Sequence, residues 1–598
     1  MQHIGTEHRA DGTTHFRVWA PFAKKVRLKI VHPEENTYEM KEEESAYWWL
    51  ELKDADPGTR YFYLLDGEAF PDPASRFQPE GVHGPSEVVS PDFNWEDKQW
   101  KVPAFKDFIL YELHTGTFSQ EGTFDGVIQH LNHLKETGIN AISLMPVAQF
   151  PGERNWGYDG VYPYAVQNSY GGPAGLKKLV NACHREGLAV ILDVVYNHLG
   201  PEGNYFDNYG PYFTSKYKTP WGKAINFDDQ YSDPVRNYFL SNALYWFKEF
   251  HIDGLRLDAV HAIFDNSAYP FLRELADLTA LFDKENKSKH YLISESALND
   301  TKVVKPATEG GWGHDAHWMD DFHHAVHALL TGESTGYYED YGEINQLMKV
   351  LSEGYRLSGG YSKHKKRRYG LSSREIPGEK LVIFIQNHDE TGNRLKGDRL
   401  SDLVSFEQYK WAASLMLLAP YVPMLFMGEE YGEDKPFMYF IDHSDKALIE
   451  AVRRGRRREF RSFKWKGRAP DPYDPETFIR SKPGWDKKYN GKYRLIHQLY
   501  KDAIRLRKEN PVLNQANKFK QKISIKENIL EIERWNNGHT LRIVTNFSDQ
   551  AKDIANPGDY WKILFNTAYY GQQKTKAESR SKEINLQPYQ LLVFGKEK

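Results

Sequence analysis

Four apolar runs of this sequence end in a carboxylate. "LAVILDVVYNH" carries Asp193, "DGLRLDAV" carries Asp258, "HYLISES" carries Glu295 and "LVIFIQNHD" carries Asp389. Side chains alternate across a strand, so Ile191, Asp193, Val195 and Asn197 are expected on one face, as are Gly254, Arg256 and Asp258. Tyr291, Ile293 and Glu295 form a third such set, and Ile383, Ile385, Asn387 and Asp389 a fourth. His198 and His388 stand beside the first and last of these ends. One Asp of this kind would read as an ordinary satisfied polar group. Four carboxylates brought together repel one another and lose hydration, a cost that functional sites tolerate.

Two chemistries use such a set. A hard metal wants an oxygen-rich cage or histidines at short spacing, whereas each run here offers a single carboxylate. Glycosyl transfer wants one carboxylate as nucleophile, a second as acid and then base, and further groups that grip sugar hydroxyls. An Arg two residues before a nucleophilic Asp favours its ionised form, and a more buried, less paired Glu stays protonated to act as the acid.

A scaffold must bring these four ends to one place. From about residue 105, strand-length apolar runs alternate with amphipathic helices, the pattern of βα units around a parallel sheet. The strands are read at "FILYELHTGTF", "NAISLMPV", the four runs above, a weak one near "DAHWMDD", and "PMLFMGEEYG". Eight strands with intervening helices over about 400 residues fit an α/β fold, a (β/α)8 TIM barrel with insertions, whose active site lies at the C-terminal ends of the strands.

Residues 1–104 show short alternating runs such as "THFRVWAP" and "KKVRLKIV", read as an N-terminal immunoglobulin-like β-sandwich. Residues 105–511 hold the barrel. Residues 512–598 return to strands, with Asn537 and Gly538 as a hairpin turn in a C-terminal antiparallel β domain.

Across the 598 residues the net charge of −4 gives no global pull toward nucleic acid, and no apolar run is long enough to span a membrane. The arginine cluster "AVRRGRRREF" reads as a solvated or salt-bridged helix face. The single cysteine, Cys183, excludes an internal disulfide and reads as a buried structural thiol. The opening residues show no basic-then-apolar leader, so the cytoplasm is the default. Aromatic residues reach 14%, with 37 Tyr and 15 Trp, which suits large cores and sugar-stacking surfaces alike.

"DVVYNH", "GLRLDAVH", "ISES" and "IQNHD" resemble, in order and strand position, the four signature regions of the α-amylase superfamily of retaining glycoside hydrolases. The resemblance implies Asp258 as nucleophile, Glu295 as general acid/base and Asp389 as the third catalytic carboxylate. It implies that Arg256 orients the nucleophile, that His198 and His388 bind the sugar before the cleaved bond, and that Tyr158 is the aromatic platform beneath it. Asp193, Asn197, His261 and Asn387 join the substrate-binding set.

Within that superfamily "FRVWAP", "FPDPASRFQPEGVHGPSEV", "DAVHAI", "DDFHHAVHALLTGE" and "APDPYDPETFIRSK" resemble the malto-oligosyltrehalose trehalohydrolase family. That resemblance implies malto-oligosyltrehalose or maltodextrin as substrate and water as acceptor, with no cofactor or metal. It also implies a functional partner, the maltooligosyl trehalose synthase that makes the substrate, with neither nucleic acid nor membrane involved. A glucan branching enzyme on the same scaffold, or a silent glucan-binding protein, are the alternatives.

Ala297 and Glu390 depart from the family pattern, and Glu390 is expected at the rim of the mouth. The histidines 323, 324 and 327 read as helix-face groups near the sugar site rather than metal ligands. The glutamates of "MGEEYG" read equally as the solvated end of the eighth strand. Whether the sandwich binds glucan or only shapes the cleft is left open by the sequence.

Overall fold

Eight parallel strands close into a barrel in the computed structural model, which describes residues 3–463, 465, 467–571 and 582–596. They are β1 Leu110–Leu113, β2 Ala141–Leu144, β3 Ala189–Val194, β4 Gly254–Leu257, β5 Tyr291–Ser294, β6 Ala316–Trp318, β7 Leu381–Ile383 and β8 Val422–Phe426. Closure comes from β8 pairing back onto β1, with Leu110 opposite Met424. Every strand falls inside the run read for it except β8, which starts one residue earlier, at Val422.

The period-two alternation sorts each strand between two cores. Leu110, Ile191, Ile293, Val382, Phe384 and Met424 belong to one interior cluster. Leu192, Leu255, Leu257, Leu292, Ile383 and Ile385 pack in the larger cluster that includes the helices. Each fully buried aliphatic side chain of this kind contributes roughly 1.5–3 kcal/mol. In β4 the inward position Gly254 has no room for a side chain, since a Cβ there would lie 2.6 Å from the Tyr291 carbonyl oxygen and 2.9 Å from Ile191 Cδ1.

For β7 the phase differs from the sequence reading. Val382 and Phe384 face inward, and Ile383 and Ile385 face the helices. The strand ends at Ile383, and Asp389 sits instead in a short helix, His388–Gly392.

The N-terminal region forms two antiparallel sheets joined through contacts such as Phe16 against Tyr61, ring centroids 5.1 Å apart. A C-terminal antiparallel sheet includes the Ile529–Asn536 and His539–Asn546 hairpin. At its turn, Asn537 and Gly538 both adopt positive φ, 46° and 81°. Residues 572–581 and 597–598 of the expected C-terminal domain lie outside the described residues. Cys183 is a buried free thiol in the helix Gly172–Glu186. In the helix Lys446–Glu459, Arg454, Arg457 and Arg458 are exposed and Arg453 pairs with Asp471. Among the described residues no helix is long and apolar enough to cross a membrane.

The segment between sandwich and barrel is held at the barrel base by a charged knot. His184 lies between Asp97 at 2.8 Å and Asp253 at 3.0 Å, and Trp100 stacks on it at 4.6 Å while donating to Asp253 at 2.7 Å. Burial lowers the His184 pKa, but the hydrogen bonds and charges of Asp253 and Asp97 outweigh it and raise it to about 8. A histidine raised on folding stabilises fully below its unfolded pKa near 6.5 and loses that contribution as pH rises through about 8, here about 2 kcal/mol. The thermal midpoint of His184→Gln is therefore expected to lie furthest below the parent's at pH 6, with the gap narrowing by pH 9. A gap independent of pH would overturn this account of the knot.

Candidate active site

Arg256 organises the mouth of the barrel. It is fully buried on β4, with its guanidinium 4.3 Å from the Trp318 ring on β6. A buried cation needs paired anions. Nη1 donates to Asp193 Oδ2 at 2.7 Å and Asp258 Oδ1 at 2.8 Å, and Nη2 lies 3.7 Å from Glu295 Oε2. The three carboxylates read from β3, β4 and β5 thus surround one guanidinium.

Asp258 follows β4 directly, its N–H bonded to the Val194 carbonyl. Its second oxygen accepts from Asn197 Nδ2 at 2.7 Å, and the same amide donates to the Asp258 carbonyl at 2.8 Å. Both carboxylate oxygens are therefore fixed. Asn197 is engaged in turn by His198 Nδ1, and His198 Nε2 meets the Tyr158 carbonyl at 3.0 Å. The His198 ring stacks on half-exposed Trp221 at 4.5 Å, an aromatic partner absent from the sequence reading.

Glu295 is anchored by main-chain bonds from its N–H to Leu257 and from Val260 to its carbonyl. Its Oε2 accepts from the N–H of Ala259 at 2.5 Å. Ala259 holds a left-handed conformation, φ 40°, which a non-glycine residue adopts at a cost of about 1–2 kcal/mol. Burial pushes the Glu295 carboxyl up to about 7 against Arg256, with Asp258 and Asp389 adding to the rise. This side chain therefore keeps its proton well above the usual carboxylate range.

Asp193 lies deeper, accepting the Tyr158 hydroxyl at 2.7 Å beside Arg256, and burial raises it to about 7. Tyr158 also reaches His388 Nε2 at 2.9 Å, and the two rings stack at 5.2 Å. Asp389 is half exposed on its helical turn, 3.5 Å from His388 Nε2, with Oδ1 accepting from Asn393 at 3.0 Å. His261 sits half-buried on the turn after Asp258, and burial lowers its ring pKa.

Three expectations need correction. Asn387 does not turn its carbonyl oxygen to the mouth: that oxygen caps the His388–Gly392 helix by accepting the Glu390 N–H at 2.7 Å. Glu390 is not at the rim but buried, 3.2 Å from both His323 Nε2 and His324 Nε2. Burial would raise its carboxyl, yet the two histidines hold it well below the usual range. The third concerns Glu429 and Glu430, which are completely buried rather than solvated. Glu430 meets Tyr111 and His133, Glu429 meets Tyr500, and burial lifts Glu429 to about 8, so it enters the interior neutral.

The histidines of "DDFHHAVHALLTGE" lie on the helix Asp320–Thr331. His323 contacts the Ile385 carbonyl and Tyr338, and His327 contacts Glu333. Besides Trp221, a second site residue escaped the sequence reading. Glu112, buried mid-strand on β1, meets His388 Nδ1 at 2.5 Å and the His388 N–H at 2.9 Å. The signal was a carboxylate two places after the inward Leu110, inside an otherwise apolar strand.

Comparisons with known proteins identify the family of the chain. The α-amylase catalytic domain model matches residues 92–222 and 226–516, and the carbohydrate-binding module 48 (isoamylase N-terminal domain) model matches 3–90. A malto-oligosyltrehalose trehalohydrolase of Saccharolobus solfataricus is 53% identical over 83% of this chain and 86% of its own length. One from Rhizobium sp. is 40% identical over 92% and 93%. A solved Salmonella typhimurium chain, assigned as an alpha amylase, superposes over 100% of both chains with a TM-score of 0.89 and 36% identity. The chain belongs to the α-amylase family of glycoside hydrolases, and within it to the malto-oligosyltrehalose trehalohydrolases.

Proposed function

We propose that the protein hydrolyses the α-1,4-glucosidic bond next to the terminal trehalose unit of malto-oligosyltrehalose, releasing trehalose and a maltodextrin. The observation that carries the reaction type is the pairing of Asp258 and Glu295 across Arg256, each within 4 Å of the same guanidinium. Such closeness suits a retaining double displacement, whose two carboxyl groups stand about 5 Å apart. The names of the two relatives support the choice of substrate.

Glu295 protonates the leaving trehalose oxygen while Asp258 attacks the anomeric carbon, forming a glycosyl-enzyme and freeing trehalose. Glu295, now a carboxylate, takes a proton from water, which attacks the same carbon and restores Asp258. Asp389, His388 and His198 grip the sugar before the cleaved bond, over Tyr158. Arg256 and Asn197 hold Asp258 in line. This chemistry requires no metal.

The substrate would come from a maltooligosyl trehalose synthase in the cytoplasm, and a buried unpaired Cys183 suits that compartment. We divide the chain at 104/105 and 511/512, with the N-terminal module shaping the cleft.

Product analysis separates this reading from a branching enzyme. Incubated with malto-oligosyltrehalose, the protein is expected to yield free trehalose, and with amylose no new α-1,6 branches. Branched glucan without trehalose would sink the proposal, and no turnover of either glucan would favour a silent binding protein.

A further inference from the structure

The hydrogen bonds around His388 fix its charge. Tyr158 has one hydroxyl proton and three neighbours, Asp193 Oδ2 at 2.7 Å, His388 Nε2 at 2.9 Å and, at 3.3 Å, Arg256 Nη1, which can only donate. Asp193 Oδ2 also receives Arg256 Nη1, so it acts as an acceptor and takes the Tyr158 proton. The Tyr158 oxygen must then accept from His388, which places a proton on Nε2. On the far side of the ring, Nδ1 faces Glu112 Oε1 at 2.5 Å, a carboxylate that also takes the His388 backbone N–H. A carboxylate oxygen only accepts, which places a second proton on Nδ1.

We propose that Glu112 is a positioning residue that fixes His388 as a doubly protonated imidazolium, with Nε2–H held between the Tyr158 hydroxyl and Asp389. The inference rests on the function proposed above, in which Asp389 and His388 grip the sugar. Its consequence is a permanent cationic partner for Asp389, 3.5 Å away, in a site otherwise rich in carboxylates.

The other groups around the ring permit this. Burial disfavours the charge, but Asp389 and then Glu112 outweigh it, with Arg256 opposing, and hold His388 up to about 9. Asp193 is reached through Tyr158. His114, on the turn after β1, is lowered by burial to about 3 and is neutral. Glu112 has no basic partner in hydrogen-bond contact other than His388 among the described residues. Its 276-residue separation from His388 ties the first strand of the barrel to the helical turn after the seventh.

The pH profile of Glu112→Gln tests this directly. In the parent, loss of the Glu295 proton near pH 7 gives log kcat/KM a slope of −1 that persists until His388 titrates near 9. Glutamine keeps the acceptor oxygen but not the charge, and losing one opposite charge at this distance lowers a pKa by about 1–3 units. The variant's slope between pH 7.5 and 8.5 is expected to approach −2, so its ratio to the parent falls about tenfold per pH unit. Glu112→Asp, which restores the charge, is expected to return the slope to −1.

Histidine-labelled NMR, with His388 assigned by its loss in His388→Gln, should show its midpoint fall in Glu112→Gln. A uniform loss of activity at all pH values, an unchanged slope, or an unmoved His388 midpoint would overturn the proposal. Failure of the parent to release trehalose would refute the function instead, and the NMR midpoint would still judge Glu112.

Discussion

Glu295→Gln is expected to lower kcat on malto-oligosyltrehalose roughly 10³- to 10⁴-fold while leaving maltodextrin binding within a few-fold of the parent. The substitution keeps size and the hydrogen bond from Ala259 but removes the transferable proton. That proton is available because burial raises the carboxyl to about 7, and the Ala259 N–H and Arg256 keep the rise from going further. The active form carries Glu295 protonated, so parent kcat/KM falls as pH rises through about 7. In Glu295→Gln this limb should vanish. Maltosyl fluoride, whose leaving group needs no protonation, should restore the first step and let the glycosyl-enzyme accumulate, and added azide should speed its release. Hydrolysis of malto-oligosyltrehalose at the parent rate would falsify the acid/base assignment.

Alternation made β3, β4 and β5 legible because each mixes a charged inward set with an apolar outward set. Arg256 and Asp258 had to share a face opposite Leu255 and Leu257, and the interior and outer clusters divide that way. In β7 every residue of "LVIFI" is apolar, as expected of a strand buried on both faces, so alternation carries no phase information. A slip of one residue flips the whole set, and plain alternation puts Ile383 and Ile385 on the wrong side. Asp389 still reaches the mouth, by a different route: the strand stops and Asn387 caps a helical turn.

Glu112, Glu390, Glu429 and Glu430 share another cause. Each finds its partners far along the chain, in His388, His323, Tyr500 and His133 respectively, and no local spacing announces such a meeting. The strained Ala259 is legible only in three dimensions, since alanine gives no hint of a left-handed backbone.

Asp258→Asn is expected to cost more than Glu295→Gln, on the order of 10⁴- to 10⁶-fold in kcat, or about 5–8 kcal/mol of barrier. No change of leaving group replaces a missing nucleophile, so maltosyl fluoride should not rescue this variant. A 5-fluoroglycosyl fluoride should label the parent on the peptide containing Asp258 and leave Asp258→Asn unlabelled. Label on another peptide would refute the assignment. The fold should not suffer with the activity. Arg256 keeps Asp193 at 2.7 Å and Glu295 at 3.7 Å, so its buried charge stays compensated. Removing one of the clustered carboxylates also relieves repulsion among those that remain. The thermal midpoint of Asp258→Asn should therefore equal or exceed the parent's, as expected where a site trades stability for catalysis. A large fall in that midpoint would mean that Asp258 is needed to hold Arg256 in the barrel.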